Sequence, residues 1–498
     1  MQHEQTQQWA DDIMERAAAA FQVFRKVPGR ERASLLENIG QELELARPSL
    51  IPLAAQESHL PEGRLNGELS RTINQLNLFA TLLREGSWVQ AAIDTALPQR
   101  QPAPRADIRK MMQPVGPVLV FGSSNFPFAF STLGGDSASA LAAGCPVVVK
   151  AHPGHPETSK AVHKVALNAI EALNLSPDIL QHVPHNGHHT GLLLVTAQAT
   201  AAVGFTGSFQ GGSAIIEAAQ KRLRPISVYA EMGSLNPVVI LPAVMKATPE
   251  AIAQKLAASV CLGVGQFCTN PGLIFVTEEK GHEPALAQFI QSFIRQIRNA
   301  KPGAMLHEGI LESYHNDREL ILSQAGVELL AEGETTDRPL EASAALASVR
   351  ADTFMHNGAL QKEVFGPFTL LVVGQHIEET EAAIKSLEGQ LTASIFADST
   401  DKQAAGDLID MLLPLTGRLI FNDVPTGVEV SAAMVHGGPY PATSNAQFTS
   451  VGTTAIQRWV RPVCFQDFPE DLLPVELQDA NPLSVWRTVD GNWTNKAI

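Results

Sequence analysis

Short apolar, β-branched runs alternate with helical stretches through the middle of the chain, and this rhythm constrains the fold more than any other feature. The runs PVLVFG, PVVVK, AAVGFTG and ISVYA lie between residues 117 and 230, separated by Ala-rich or amphipathic stretches. Such a pattern predicts right-handed βαβ units on a mostly parallel sheet with helices on its faces. Ligands of such sheets bind beyond the carboxyl ends of the strands.

A second series of apolar runs begins near residue 234 and predicts a second α/β unit. Its expected strands lie near 237–241, 273–276, 369–373, 392–396 and 418–422. Residues 8–84 carry apolar positions at three- and four-residue spacing, which predicts a helical layer ahead of the first sheet. A chain of 498 residues is also longer than one hydrophobic core usually organises.

Two further segments fit neither unit. Residues 99–112 are rich in proline with charges at both ends, so they predict an extended arm. The tail from residue 437 is rich in Pro, Ser, Thr and aromatic residues and predicts a surface extension. The expected boundaries are 1–98 with 113–233 for the first unit, 234–436 for the second, and 99–112 with 437–498 for the arm and the C-terminal extension.

Composition excludes several classes of function. Fifty-one acidic and 36 basic residues leave a net charge of −15, so we expect no nucleic-acid partner. No apolar run approaches the roughly 18 residues of a membrane span, and the N-terminus lacks a signal-peptide pattern, so we expect no membrane partner. Four cysteines without CxxC spacing predict a reducing, cytoplasmic location.

Four polar residues stand where the chemistry of an α/β site is expected. Cys268 follows two glycines between a helical run and a strand-like run, although a free cysteine is usually a small buried apolar residue. Glu231 and Lys150 each follow a strand, and Asn125 lies shortly after another. Taken singly, Glu231 has the alternative reading of a solvated turn acid, Lys150 that of a snorkelling surface lysine and Asn125 that of a helix cap.

Together with their surroundings, however, these residues resemble a known family. FGSSNFPFAFSTLGGDSASALAAGCPVVVKAHP, GFTGS, EMGSLNP, GQFC and EVFGPF occur in the order and spacing of the aldehyde dehydrogenase superfamily. The resemblance runs from about residue 10 to 490. It implies an α/β, aldehyde dehydrogenase-like fold in which the first unit is a Rossmann-type dinucleotide-binding domain, the second is the catalytic domain, and the remainder is a small oligomerisation arm with the C-terminal extension.

The resemblance also implies the catalytic roles. Cys268 matches the nucleophile, Asn125 the oxyanion-stabilising amide and Glu231 the general base, while Lys150 matches the lysine that holds a ribose. A thioester on the cysteine would be hydrolysed by water activated at the carboxylate. Nothing in this scheme requires a metal.

The cofactor implied is NADP or NAD. Ser208, with Gly204 and Gly207, matches the pyrophosphate contact at a helix N-terminus, and Glu363 and Phe365 match the groups around the nicotinamide ribose and ring.

Residues near the adenosine end leave the choice of cofactor open. Pro153 stands where many members carry a glutamate for the 2′-hydroxyl of NAD, which permits NADP. His188 stands where NADP-linked relatives carry an arginine, and His152 lies near it. Because no carboxylate or thiolate accompanies the histidines at 182–189 at ligand spacing, we expect a polar loop near the cofactor rather than a metal site.

Substrate choice rests on one arginine. Arg71 lies off the apolar stripe of its predicted helix, and its simplest reading is a solvated side chain. In the family this helix borders the aldehyde entrance, where an arginine would bind a carboxylate. Within the family the chain most resembles the enzymes that act on α-ketoglutarate semialdehyde, and this resemblance implies that small molecule as the substrate, oxidised to α-ketoglutarate. The alternatives are a medium- or long-chain fatty aldehyde, a CoA-acylating reaction, or a non-catalytic relative. The arm implies a homodimer or homotetramer.

Overall fold

The computed structural model describes residues 5–498 and consists of alternating helices and strands. The helices are α1 Gln7–Phe24, α2 Gly29–Ser58, α3 Glu62–Glu85, α4 Gly135–Ala143, α5 Pro156–Ala172, α6 Gly187–Thr196, α7 Phe209–Gln220, α8 Pro242–Ala247, α9 Pro249–Cys261, α10 Glu283–Arg298, α11 Glu308–Leu322, α12 Ala351–His356, α13 Ile377–Lys385 and α14 Lys402–Leu412. No helix among the described residues has the length and apolar character needed to cross a bilayer.

Strands build three large sheets and one two-stranded ribbon. They are β1 Ala92–Asp94, β2 Ile108–Pro114, β3 Val118–Phe121, β4 Val147–Lys150, β5 Leu180–Val183, β6 Ala202–Thr206, β7 Ser227–Glu231, β8 Val238–Ile240, β9 Leu273–Thr277, β10 Gly303–Ala304, β11 Glu328–Glu332, β12 Glu341–Ala342, β13 Ala345–Arg350, β14 Phe368–Gly374, β15 Gln390–Phe396, β16 Thr416–Phe421, β17 Val460–Gln466, β18 Arg487–Val489 and β19 Asn492–Thr494.

The first large sheet is fully parallel, as the alternating pattern predicts, with strand order β5-β4-β3-β6-β7. From β3 the chain adds β4 and then β5 on one side of the sheet, and it adds β6 and then β7 on the other side. This reversal creates a crevice at the carboxyl ends of β3 and β6, where such sheets bind ligands. Lys150 and Glu231 end β4 and β7 at the same edge.

The second large sheet has the order β11-β13-β14-β9-β8-β15-β16, with β11 alone antiparallel to its neighbour. The five strands predicted for this unit are present. Strands β11 and β13 were not predicted, because ELLAE is partly exposed and ALASVR consists largely of small residues. The loop carrying Cys268 connects α9 to β9, so the thiol lies at the amino end of a central strand.

Helix α2 is longer than its sequence predicts. Its apolar periodicity predicts a helix over residues 31–45, and Pro48 and Pro52 disfavour a continuation because proline lacks the N–H donor. The helix nevertheless continues to Ser58, since Leu50 and Ile51 are buried between α2 and its neighbours. Tertiary packing here outweighs the local preference.

The third sheet, β17-β2-β1-β18-β19, joins the arm to the end of the chain. The expectation that the tail is a surface extension is wrong for its first part. Trp459 is fully buried, and its Nε1 donates to Ser139 Oγ at 2.7 Å. Arg458 forms a buried ion pair with Asp136 at 2.7 Å. The tail thus packs into the first domain against α4.

The Arg458–Asp136 pair generates a stability prediction. Replacing Asp136 by Ala leaves a buried guanidinium without its counter-charge, which should cost about 3–5 kcal/mol and lower the thermal midpoint measured by calorimetry. Glu217→Ala, which breaks the exposed pair with Lys221, serves as the control and should leave the midpoint unchanged. Equal midpoints for the two variants would contradict the structural role assigned to Asp136.

Candidate active site

A buried carboxylate at the end of β7 is the centre of the site. Glu231 is 4% exposed. Its Oε1 lies 2.9 Å from His436 Nε2, and its Oε2 accepts a hydrogen bond from Ser450 Oγ at 2.7 Å. Both partners come from the segment after β16, which also forms a β-bridge from Thr443 to Glu231. The carboxylate is therefore held in place by the segment that contains His436.

Cys268 faces this carboxylate from the opposite domain. Its Sγ lies 3.4 Å from His436 Nε2. The preceding residues Gly263, Val264 and Gly265 all have positive φ, which turns the chain sharply after α9. A side chain at Gly265 would collide with the carbonyl of Gly366, so the loop requires glycine for close packing as well as for its turn.

His436 connects the thiol and the carboxylate. Its imidazole is 2% exposed, and Nδ1 is buried without a hydrogen-bond partner among the described residues. Its Nε2 lies 2.9 Å from Glu231 Oε1 and 3.4 Å from Cys268 Sγ, so one ring nitrogen faces both groups.

The same three side chains could also hold a metal ion. Ligand atoms of Glu231, Cys268 and His436 lie within 4.8 Å of one another, and their chemistry suits zinc. An ion there would occupy the thiol and the carboxylate together, leaving neither free to react.

Electrostatics keep the thiol neutral and the carboxylate charged. Burial, followed by the charge and hydrogen bond of Glu231, raises the pKa of the Cys268 thiol well above its ordinary value. Burial also acts to raise the pKa of Glu231, but His436, Ser450 and Cys268 together lower it below its ordinary value. Glu231 is therefore an ionised base within reach of the nucleophile.

Asn125 lies beside the nucleophile loop, at the crevice next to β3. It is 8% exposed, and its Nδ2 donates to the Gln266 carbonyl at 3.2 Å. The backbone carbonyl of Asn125 accepts a hydrogen bond from Arg64 Nη2 at 2.8 Å. The amide predicted to meet an oxyanion thus points toward the backbone that precedes Cys268.

The adenosine-side residues surround Lys150. Its Nζ lies 2.6 Å from His185 Nδ1, and burial lowers the pKa of Lys150 to about 8. His152 is half-buried, and burial with neighbouring histidines and Lys150 lowers its pKa well below the ordinary value. It is therefore uncharged at neutral pH. His188 and Pro153 are exposed.

The remaining predicted cofactor residues lie on two sides of the crevice. Ser208 caps α7, its Oγ accepting from Gly211 N at 3.2 Å, and a Cβ added at Gly207 would come within 2.7 Å of the Phe205 ring. A Cβ at Gly204 would come within 2.6 Å of Asp136 Oδ2.

Across the crevice, Glu363 packs against Gly233, and burial raises its pKa to about 7. Phe365 lines a small cleft together with Phe267 and Gly265 of the nucleophile loop. The groups predicted for the nicotinamide end of the cofactor are thus adjacent to the thiol.

Arg71 lies inside this site rather than in solvent. Its guanidinium is half-buried over the rings of Phe126 and Phe130, at 5.9 and 5.2 Å from their centroids. Burial lowers its pKa, while Glu68, Cys268 and Glu231 act in the opposite direction. The solvated-arginine reading is therefore excluded by the burial of this side chain.

Two residues of the site, His436 and Arg64, were not predicted from the sequence. His436 entered only as the last residue of the second predicted unit. The one signal near it is that it directly precedes the double glycine of HGGP, which is an unusual loop pattern. Arg64 was not considered, because its contacts depend on how α3 packs. The histidines at 182–189 do not converge: His182 contacts Ser159, and His185 contacts Lys150.

Comparison with known proteins gives consistent results. A model of the aldehyde dehydrogenase family matches residues 2–441. The chain is 46% identical to alpha-ketoglutaric semialdehyde dehydrogenase 2 of Azospirillum brasilense, over 96% of this chain and 90% of that protein. It is 43% identical to the alpha-ketoglutaric semialdehyde dehydrogenase of Acinetobacter baylyi, over 97% of this chain and 91% of that protein.

Solved structures share the fold. Betaine aldehyde dehydrogenase of Staphylococcus aureus superposes with a TM-score of 0.77 at 18% identity, over 95% of this chain and 90% of that one. Glyceraldehyde-3-phosphate dehydrogenase of Methanocaldococcus jannaschii, complexed with NADP, superposes with a TM-score of 0.76 at 19% identity, over 93% of this chain and 94% of that one.

The thiol–carboxylate contact predicts how Cys268 reacts with iodoacetamide. Glu231→Gln removes a negative charge that disfavours the thiolate, so the thiol pKa should fall and alkylation at pH 8 should become faster. Mass spectrometry of the Cys268 peptide over a pH series measures this rate, with the exposed Glu217→Gln as control. Slower alkylation would instead identify Glu231 as the base that deprotonates the thiol.

Proposed function

The chain belongs to the aldehyde dehydrogenase family, and from this we propose that it oxidises α-ketoglutarate semialdehyde to α-ketoglutarate with NAD or NADP, through a thioester on Cys268. The observation that carries the proposal is the contact of Cys268 and Glu231 with the buried imidazole of His436. Arg71 lies near enough to sense the charges of Cys268 and Glu231. The names of the two relatives above 40% identity support the substrate.

The crevice fits a nicotinamide dinucleotide. The capped N-terminus of α7, beside a tight turn at Gly207, suits a pyrophosphate. Lys150 at the end of β4 would hold a ribose, and Glu363 would hold the ribose next to the ring. When bound, the nicotinamide accepts the hydride from the substrate carbon.

Attack requires the Cys268 thiol to release its proton to solvent water and its sulfur to add to the aldehyde carbon. The oxygen that becomes an oxyanion needs donors already in place. In our proposal these are the Asn125 amide and the backbone N–H of Cys268. The Asn125 amide donates to the Gln266 carbonyl at 3.2 Å and would turn to the oxyanion when the substrate is bound.

Release of the acid requires a base near the thioester. Glu231 is ionised and buried, and it would take a proton from water as the water attacks the acyl carbon. His436 and Ser450 hold the carboxylate from two sides, so its orientation is maintained while the acyl group changes. A CoA-acylating enzyme would not need this base, and we therefore favour hydrolysis.

The cofactor and assembly are proposed more broadly. Pro153 places no carboxylate against a 2′-phosphate, and Lys150 carries positive charge below its pKa of about 8, so both NADP and NAD are compatible with the site. His152 and His188 would contribute as neutral or solvent-exposed groups. The outer edge of β17 is unpaired within one chain, which suits a homodimer or homotetramer in the cytoplasm.

The two catalytic steps can be separated by mutation. Cys268→Ala should abolish both dehydrogenase and esterase activity, because both pass through an acyl-thiol. Glu231→Gln should give a burst of reduced cofactor, about one equivalent per site, without turnover, since it retains the thiol but lacks the base. Stopped-flow absorbance of the reduced nicotinamide measures both. Loss of the burst in Glu231→Gln would contradict this division of roles.

Arg71 is the proposed partner of the substrate carboxylate. Its guanidinium lies over the rings of Phe126 and Phe130, and a guanidinium can bind a carboxylate in a bidentate contact. Glu68 lies near it, but its Oε1 accepts the backbone N–H groups of Phe128 and Ala129 at 2.7 and 3.0 Å, and its Oε2 has no hydrogen-bond partner among the described residues. Arg71 forms no ion pair with Glu68 in the structure.

Substrate profiles of Arg71→Met test this assignment. Loss of a partly buried charge-assisted pair should cost about 1.5–3 kcal/mol, or roughly ten- to a hundredfold in kcat/KM for α-ketoglutarate semialdehyde. Medium-chain aliphatic aldehydes should react equally well or better, because they lack the carboxylate. Equal losses on both substrates would show that Arg71 is structural and would favour the fatty aldehyde alternative.

A further inference from the structure

Arg64 lies between the two loops that carry the nucleophile and the oxyanion amide. Its guanidinium is placed 5.3 Å from the ring centroid of Phe126 and 4.7 Å from that of Phe267. Phe126 directly follows Asn125, and Phe267 directly precedes Cys268. One cation on α3 thus contacts the neighbour of each reacting group, and the two rings also meet edge to face at 5.9 Å.

Helix α3 holds the Asn125 loop at two points. Arg64 Nη2 donates to the Asn125 carbonyl at 2.8 Å. One turn later, Glu68 accepts the backbone N–H groups of Phe128 and Ala129. Because Asn125 reaches across to the Gln266 carbonyl, the position of Arg64 affects both loops at once.

Gly263 leaves room for the Phe267 ring and the Arg64 guanidinium. A Cβ built at Gly263 would lie 2.7 Å from Phe267 Cε2 and 3.0 Å from Arg64 Nη1. Asparagine is among the residues that tolerate the positive φ of 55° found here. Backbone conformation alone therefore does not require glycine, whereas the space taken by the ring and the guanidinium does.

We propose that Arg64 is a positioning residue that fixes the oxyanion amide of Asn125 relative to the Cys268 thiol, and that the absence of a side chain at Gly263 leaves room for the guanidinium and the Phe267 ring that it contacts. Arg64 acts through the backbone of Asn125 and the ring of Phe267 rather than by contact with the substrate. The inference rests on the proposed aldehyde oxidation, since its main readout is that reaction.

Arg64→Met keeps an apolar stem between the rings but removes the bond to the Asn125 carbonyl. We expect kcat to fall about ten- to a hundredfold, because a misplaced oxyanion donor weakens transition-state binding. KM should change little, and the loss should be equal for α-ketoglutarate semialdehyde and an aliphatic aldehyde. This pattern differs from the substrate-selective loss expected for Arg71→Met.

A double-mutant cycle tests the pairing with Gly263. Gly263→Asn in the wild-type chain should lower kcat, because its side chain displaces the guanidinium and the Phe267 ring. In the Arg64→Met background the same substitution should cost less than about half of that loss, because only the Phe267 ring is then displaced. Additive losses in kcat would overturn the proposed pairing.

Two further variants separate positioning from charge and from folding. Arg64→Lys keeps the charge but cannot stack flat and reach the Asn125 carbonyl together, so it should resemble Arg64→Met; full activity would overturn the proposal. Arg84→Met, on the exposed end of the same helix, is the control and should retain wild-type kcat. Thermal midpoints identify any variant that has merely lost stability.

A readout independent of turnover separates failure of this inference from failure of the proposed function. In Arg64→Met, Phe267 loses one of its packing partners, so the rate of Cys268 alkylation should change at least about twofold while the rate at Cys464 stays constant. If the wild-type enzyme oxidises no aldehyde, the proposed function fails while this rate still reports on the positioning. An unchanged Cys268 rate together with unchanged kcat would refute the role of Arg64.

Discussion

A buried carboxylate that must remain ionised sets the conditions for the rest of this structure. Burying a charge without compensation is costly, and Glu231 is compensated by His436 and Ser450. Neither partner belongs to the strand that carries Glu231. The chain therefore has to return from the second domain to the first, and Arg458 and Trp459 complete this return by packing against α4.

The Cys268 thiol, unlike the Glu231 carboxylate, is kept in its neutral form. Glu231 and Glu363 both disfavour its ionisation, and Arg71 opposes them only partly. Cys268 therefore stays protonated in the resting site, which limits its reaction with adventitious oxidants and electrophiles. A nucleophile kept neutral beside an ionised base is suited to a site that reacts only once its ligands are in place.

Much of the fold could be predicted because its signals are local. Short β-branched runs placed the parallel sheet, and their ends placed Lys150 and Glu231 at one edge. Helix α2 could not be bounded correctly, since the packing that carries it through Pro48 and Pro52 is not local. Cys268, Asn125 and Glu231 were predicted as site residues from motifs, whereas the contacts of His436 and Arg64 join segments hundreds or tens of residues apart.

Helix α3 carries both arginines of the site, and this arrangement has a consequence for how the substrate is positioned. Arg64 and Arg71 are seven residues apart, which is about 10 Å along a rigid α-helix. In the proposed enzyme, α3 therefore positions both ends of the substrate: the carboxylate through Arg71, and the aldehyde through Arg64 and the Asn125 loop. A displacement of α3 would therefore move the proposed carboxylate partner and the Asn125 loop together.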